Sequence, residues 1–437
     1  IGREDASVLD SISQPDLEPV DAIAGGETDT VSPLVGSRVT EAPYNCSCDG
    51  LSDDTSCLQA ALDSPEEWLA GTLVFPAGAS CRAQGLHLED AQGSENAPLV
   101  ISGYGATLTA PDDGPLYGVE SWILDLSASQ FVRIEGLRLD GNRLHRNPTA
   151  EWIETESGTA FNNGTTLRIS ASMDIVLLDT ELLNGALDNL LIRGLSASGP
   201  TPADFSQRIQ VVDSTMRNAF RNNVSVINCD HCEFIGDGNG PESSCQITDA
   251  NGTLPEAGLD FEPNASSPIP GITNSRIDGC YVARNAGRCV QLDVVGQPSD
   301  TAIVNSTFED CRRESATCGS AILLGHKNTV ISGNVFQNFT LTSECRALID
   351  AGGWGTDVVA NATIEENEFS DIDVGNSTLV FFHANNAGGH IFRNNVLQDI
   401  GATASGHWCA DFGVTTPNQV YGNTVDGQLQ SPNPGCP

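Results

Sequence analysis

Apolar and polar positions alternate in short runs along most of this chain, and the runs repeat. Between Leu167 and Phe412 eight segments align: NLLIRG from Asn189, NVSVIN from Asn223, GLDFEP from Gly258, CVQLDV from Cys289, SAILLG from Ser320, ALIDAG from Ala347, TLVFFH from Thr378 and CADFGV from Cys409. Their second residues are Leu190, Val224, Leu259, Val290, Ala321, Leu348, Leu379 and Ala410, which sets steps of 34, 35, 31, 31, 27, 31 and 31 residues. A second motif, x-[S/T/N]-x-apolar-x-[N/D], lies between them: DTELLN ending at Asn184, DSTMRN at Asn218, NSTFED at Asp310, GNVFQN at Asn338, ENEFSD at Asp371 and NNVLQD at Asp399. Two motifs alternating at a near-constant period predict a solenoid.

The segments are too short for stacked helices and lack i, i+3, i+4 spacing, so the solenoid is one of strands. A single rung cannot bury its apolar face, but rungs stacked about 4.8 Å apart bury a continuous column. Asn and Asp tolerate left-handed backbone and bond their own main chain, so their recurrence after each strand fits a tight corner. The expected fold is all-β, a right-handed parallel β-helix, its hand following from the crossover rule.

The N-terminal text differs. Residues 1–40 are acidic, with Pro15, Pro19 and Pro33 and few large apolar side chains, and read as an extended tail. Such a tail is ordered by lying on its own solenoid or on a neighbouring subunit. One β-helix domain is expected over 41–430, with the cap and first rungs in 41–110, regular rungs in 165–415 and a short tail at 431–437. NCSCDGLSDDTSCLQAALDS predicts a cysteine-tied loop and a short helix, capped by Asp53 or Asp54 and apolar along Leu58, Ala61 and Leu62. GTLVFPAGASC from Gly71 and PLVISGYGATLTAP from Pro98 predict strands. Leu144 to Thr166, Gly236 to Ala257 and Gly296 to Asp300 interrupt the repeat and read as insertions walling a groove.

CDGLSDDTSCLQAAL, GTLVFPAG, ISGYGATLTAP and IEGLRLDGNR, in that order, resemble the opening of the pectate-lyase-like superfamily of β-helix proteins. Those chains commonly begin GDG-x-x-DDT-x-x-[I/L]-Q-x-A, followed by a GG-x-[V/L]-x-[F/V]-P-x-G strand; Cys48 stands where the family has its first Gly, and the paired Gly is partly lost. The resemblance implies that the opening helix caps the solenoid end, which hides a strand edge. It also implies a polysaccharide partner, since the family holds pectinolytic lyases and hydrolases, alginate-type enzymes and phage tail-spike depolymerases.

Composition narrows the partner. The 437 residues carry a net charge of −38 with only 20 Lys and Arg, which argues against nucleic acid and anionic membranes. No apolar run is long enough to span a membrane. Fourteen cysteines without zinc spacing point to an oxidising compartment. The repeat alignment predicts two bridges between successive rungs, Cys318–Cys345 and Cys232–Cys280. Sequons stand at Asn45, Asn163, Asn223, Asn251, Asn264, Asn305, Asn338, Asn361 and Asn376, and favour a secreted glycoprotein whose signal peptide has been removed; a bacterial envelope protein is the competing source.

Alternation places Asp260 and Glu262, and Gln291 and Asp293, on the outer face of one sheet, with Glu262 and Asp293 in one column. Such carboxylates share a proton, bind a cation or meet a basic group. Asp260, Glu262 and Asp293 are therefore candidate calcium ligands, and with Arg217 or Arg221 they are candidate catalytic groups for a polysaccharide lyase or glycoside hydrolase. The N-T-D, G-H-G and R-I-K strings of polygalacturonases and the Y-G-F-D-P-H string of mannuronan epimerases are absent. The competing expectation is a non-catalytic subunit of an extracellular fibre or coat filament, self-assembling through residues 1–40.

Overall fold

Three parallel sheets run the length of the molecule, and each turn of the chain adds one strand to each in the order A, B, C. This computed structural model describes residues 35–114, 121–146, 164–194, 205–263, 271–293, 299–311, 320–341, 347–352, 359–375, 378–382, 388–401, 409–411 and 419–429. Among them sheets A and B have 14 strands each and sheet C has 11. The expected right-handed parallel β-helix is the fold observed. The first strand, Ser37–Arg38, already belongs to sheet A, so the solenoid starts before residue 41. The acidic tail and its expected role in assembly lie outside the described residues.

The corners explain the second motif. Between sheets A and B the chain turns in two residues, the first left-handed: Asp179, Asp213, Asn305 and Asn394 have φ of 49°, 48°, 51° and 55°. The second is buried Thr180, Ser214, Ser306, Asn334, Asn367, Asn395 or Asn423. Four of these asparagines form a ladder. The Asn334 side-chain amide donates to Asn367 Oδ1 (2.9 Å), Asn367 to Asn395 (3.0 Å) and Asn395 to Asn423 (3.0 Å). Each Oδ1 also accepts the backbone N–H of the rung below, so corner amides that cannot join a sheet are satisfied by side chains. The motif's closing Asn or Asp takes the same left-handed conformation, with φ of 52° at Asn184, which follows its sheet-B strand, and 58° at Asn338 and 53° at Asp371, which lie within the longer strands Val335–Thr340 and Glu368–Asp373.

Inside, one residue type stacks on itself. Phe308, Phe336 and Phe369 are the inward residues of successive sheet-B strands, with ring centroids 5.0 and 4.9 Å apart. That is the rung spacing, so the aromatic column and the backbone ladder share one period.

The N-terminal end is closed by Ser37–Arg38 on sheet A, Asp49–Asp53 on sheet B and helix α1 (Thr55–Leu62) beside sheet C. Leu58, Ala61 and Leu62 are buried as expected. Gln59 covers the open edge of sheet C: it accepts the His87 N–H (2.9 Å) and donates to the His87 carbonyl (3.0 Å). Asp53 accepts the Thr55 N–H (3.0 Å). Asp54 stands at the cap position but turns its buried carboxylate to the N–H groups of Ser47, Cys48 and Arg82 instead.

Several expectations are corrected. Cys232 does not bond Cys280. Among the described residues the bridges are Cys229–Cys232 and Cys245–Cys280, with Cys46–Cys57, Cys48–Cys81 and Cys289–Cys311. Cys232 lies on a sheet-A strand and Cys280 at the start of a sheet-B strand, so their equal offsets from an apolar residue belong to different sheets. Cys318 and Cys345 lie outside the described residues. The sheet-C register holds from Leu190 through Val224 and Leu259 to Val290, then continues through Ile322, Ile349, Val380 and Cys409 rather than Ala321, Leu348, Leu379 and Ala410. Gly236 to Ala257 is not a plain insertion, because it contains the sheet-B strand Gln246–Thr248. Asn223 is fully buried and its amide donates to Thr248 O and Asn285 Oδ1, so the folded chain has no room for a glycan there. Asn45, Asn251, Asn305, Asn338 and Asn361 are exposed, and Asn163, Asn264 and Asn376 lie outside the described residues.

Asn367→Ala removes four ladder bonds and strands their buried partners, so its urea midpoint should fall by the equivalent of about 3 kcal/mol. Asn338→Ala, at an exposed position within the strand Val335–Thr340, should cost under about 0.5 kcal/mol. Equal shifts for the two would contradict the ladder.

Candidate functional site

Sheet C sets the site. Every internal segment outside the described residues joins a sheet-B strand to a sheet-C strand or a sheet-C strand to a sheet-A strand, so each of these connections leads into or out of sheet C. The middle residue of each strand faces outward, and register aligns Asp125, Arg168, Leu191, Ser225, Asp260, Gln291 and Leu323 in one column. Asp260 follows from strand alternation: Leu259 and Phe261 fill the core, and Asp260 points away from it.

The corner before sheet C supplies its surroundings. Arg221 grips Asp188 of the preceding rung with two bonds, Nε to Oδ1 at 2.8 Å and Nη2 to Oδ2 at 2.5 Å. Both are buried. Asn222 links the rungs: its amide donates to Ser225 Oγ (3.1 Å) and Asp260 Oδ2 (2.9 Å), and its Oδ1 accepts the Ala257 N–H (2.9 Å). The other oxygen of Asp260, Oδ1, is buried without a hydrogen-bond partner. Burial pushes the Asp260 carboxyl well above the usual carboxylate range; the Glu262 charge adds to this, Arg221 opposes it, and Asp188 and Asp293 add further.

Glu262 and Asp293 each sit one residue past the paired strands, and Glu262 N–H bonds Val226 O as Asp293 N–H bonds Phe261 O (both 2.9 Å), so the two occupy equivalent places on adjacent rungs. The Glu262 side chain is exposed. Its carboxyl is still crowded: desolvation and the charges of Asp293 and Asp188 raise it above its ordinary value against the pull of Arg221.

Two sequence candidates fare differently. Arg221 joins the cluster, but Arg217, four residues earlier, stands exposed at the end of the sheet-B strand Thr215–Arg217, on the other side of the corner. Calcium takes six to eight oxygens at short range; among the described residues only Cys48, Asp54 and Cys81 bring three potential ligand atoms within 4.8 Å of one another, and those two sulfurs form a disulfide, so Asp260, Glu262 and Asp293 are not drawn that close together as they stand.

No family model and no curated protein sequence matches this chain. Solved structures do. A tailspike protein double mutant of E. coli bacteriophage HK620 superposes with a TM-score of 0.51 at 11% identity, covering 86% of this chain and 64% of that one. The A-module of a mannuronan C-5 epimerase from Azotobacter vinelandii gives 0.49 at 15% identity over 91% of this chain and 100% of its own. An alginate lyase from Paenibacillus sp. gives 0.44 at 14% identity over 86% and 97%. The chain has the right-handed parallel β-helix fold. At such identities the likeness is one of fold.

Within this β-helix, sequence reasoning missed Asp188 and Asn222. A signal was present: LDNLL and FRNNV occupy the same corner on successive rungs with opposite charges. It also missed the Arg168–Asp125 pair, which joins neighbouring rungs of the column by two 2.8 Å bonds.

Because the folded-state titration of Asp260 lies above that of a free carboxyl, its contribution to stability is complete below about pH 4 and is lost as pH rises through the folded value. Asp260→Asn should therefore raise the melting temperature at pH 8 relative to the parent, and the gain should vanish towards pH 4. Melting curves of both proteins across that range decide it.

Proposed function

We propose that this chain is a glycoside hydrolase acting on a neutral stretch of an extracellular polysaccharide along sheet C. The observation that carries the proposal is the pairing of exposed Glu262, its carboxyl held above the ordinary range, with Asp293 on the adjacent rung. Adjacent strands lie about 4.8 Å apart, close to the roughly 5–5.5 Å between the two carboxyls of retaining glycosidases. In this reading Glu262 gives its proton to the glycosidic oxygen as that bond breaks. The Asp293 carboxylate forms the bond to the anomeric carbon, and water then displaces it with Glu262 taking the water's proton. Asp260 is buried behind them and keeps the environment of Glu262 carboxyl-rich. A lyase is disfavoured by charge: around Arg221, already paired, stand Asp188, Asp260, Glu262 and Asp293, and the guanidinium of Arg288, on the Asp293 rung, is bonded to Gln291 and Ser320.

The competing reading is a non-catalytic structural subunit of an extracellular fibre or coat, supported by the burial of Leu191, Ser225 and Leu323 in the same column. Either way the reading is of a secreted glycoprotein. Five disulfides among the described residues fit an oxidising compartment, and no described helix is long and apolar enough to cross a membrane.

Neutral and acidic polysaccharides should be digested side by side, with reducing ends and unsaturated ends measured. Reducing ends without unsaturated ends are expected on a neutral glycan. Glu262→Gln and Asp293→Asn should each lower the rate about 10²–10⁴-fold, and Arg217→Gln should not change it. Unsaturated ends would make the chain a lyase, and no product on any glycan would favour the structural reading.

A further inference from the structure

We propose that sheet C carries a second binding site, two to three rungs before the carboxylates, which holds the oxyanion of an acidic sugar, a uronate carboxylate or a sulfate ester. The proposal rests on the reading of sheet C as a glycan-binding face, and it concerns a place distinct from the cleavage point.

Three neighbouring groups are donors in want of an acceptor. Arg168, outward on the strand Leu167–Ser170, is fixed by Asp125 through Nε and Nη2 and by the Trp122 ring, whose centroid lies 3.6 Å from the guanidinium carbon. Its Nη1 has no partner among the described residues. Ser170, two residues on, faces the same side of the strand; its Oγ is buried and makes no hydrogen bond. Arg193 is the register partner of Ser170 on the next strand. Its Nε donates to the Gly194 carbonyl (3.1 Å), and its two terminal nitrogens have no partner among the described residues. Arg193 is half-buried, and burial together with the Arg168 charge lowers its titration, as for a cation without a full counter-charge. The Nε1 of Trp122, beneath Arg168, is also buried without a partner.

The charge count fits an anion. Two guanidinium groups meet one carboxylate, Asp125, and His87 stands 3.7 Å from that carboxylate on the far side. Glu89, in the same row as Ser170 but three rungs from Arg193, is exposed to solvent. Two arginines side by side are unusual on a surface with 20 basic and 58 acidic residues. Buried donors left open cost stability unless something bonds them, and a guanidinium fork beside a hydroxyl matches the paired oxygens of a carboxylate or sulfate. At about 4.8 Å per strand, Arg193 lies roughly 10 Å along the sheet from Glu262. The acidic group would thus sit some sugars away from the bond cut, on a chain that is neutral at that bond.

Binding to the full-length chain at low salt, by saturation-transfer NMR and calorimetry, tests this with glucuronate, glucose 6-sulfate, glucose and inorganic sulfate. At least one anionic sugar should bind about tenfold or more tighter than glucose, and which one identifies the oxyanion. Arg193→Gln should abolish that preference. Ser170→Ala should weaken it without lowering the melting temperature, since the hydroxyl bonds nothing in the free protein. Glu262→Gln should leave it intact, which separates this site from the hydrolase reading. Equal binding of all three sugars, including none by any, would overturn the proposal. So would inorganic sulfate binding as tightly as the sugars, or a Ser170→Ala chain that melts earlier yet binds as before.

Discussion

No rung of this protein can satisfy its own backbone. The N–H and C=O groups of each strand point along the solenoid axis, towards the rungs above and below. Everything local follows from that. Between sheets A and B the chain turns in as few as two residues, which drives corner after corner into left-handed backbone. The buried corner amides then need partners that are not strands, and the Asn334–Asn367–Asn395–Asn423 ladder supplies them. Asparagine suits the task because one side chain carries both donor and acceptor.

The same vertical pairing organises chemistry. Outward residues of sheet C are brought together by register and not by sequence proximity. Arg168 meets Asp125 across 43 residues and Arg221 meets Asp188 across 33. Each is a bidentate pair between adjacent rungs, and such pairs tolerate burial because both charges and most of their bonding capacity are met. Asp260 has no such partner. Asn222 holds one of its oxygens, the other is bare, and a carboxyl in that position resists ionisation. The face therefore divides into an arginine-bearing stretch and a carboxyl-bearing stretch on a molecule whose overall charge is −38.

Much of this was legible in the residues. The [N/D] and [S/T/N] positions of the second motif are the left-handed and buried corner residues, and Leu58, Ala61 and Leu62 are the buried side of the capping helix. What failed did so for physical reasons. AILL and ALI are apolar without alternation, so nothing marked which residue faced inward, and the alignment slipped by one at Ile322 and Ile349. Cys232 and Cys280 share a local pattern because sheet-A and sheet-B strands look alike in sequence. Arg217 and Arg221 are four residues apart, yet a corner sends one outward on sheet B and the other under sheet C. The Asp188 and Asn222 contacts depend on which corner sits above which, a fact that periodicity alone does not carry.

The account stands on the register of sheet C, which fixes the faces of Asp260, Glu262 and Asp293. It is read most directly by mapping disulfides, after mild oxidation, in two double variants. Asp260→Cys with Gln291→Cys places both sulfurs on the outer face of adjacent strands, within bridging distance, and should cross-link. Asp260→Cys with Val290→Cys places them on opposite faces and should not. A bridge in the second pair and none in the first would mean that the strands are offset by one residue, and that the proposed carboxylate pair does not exist.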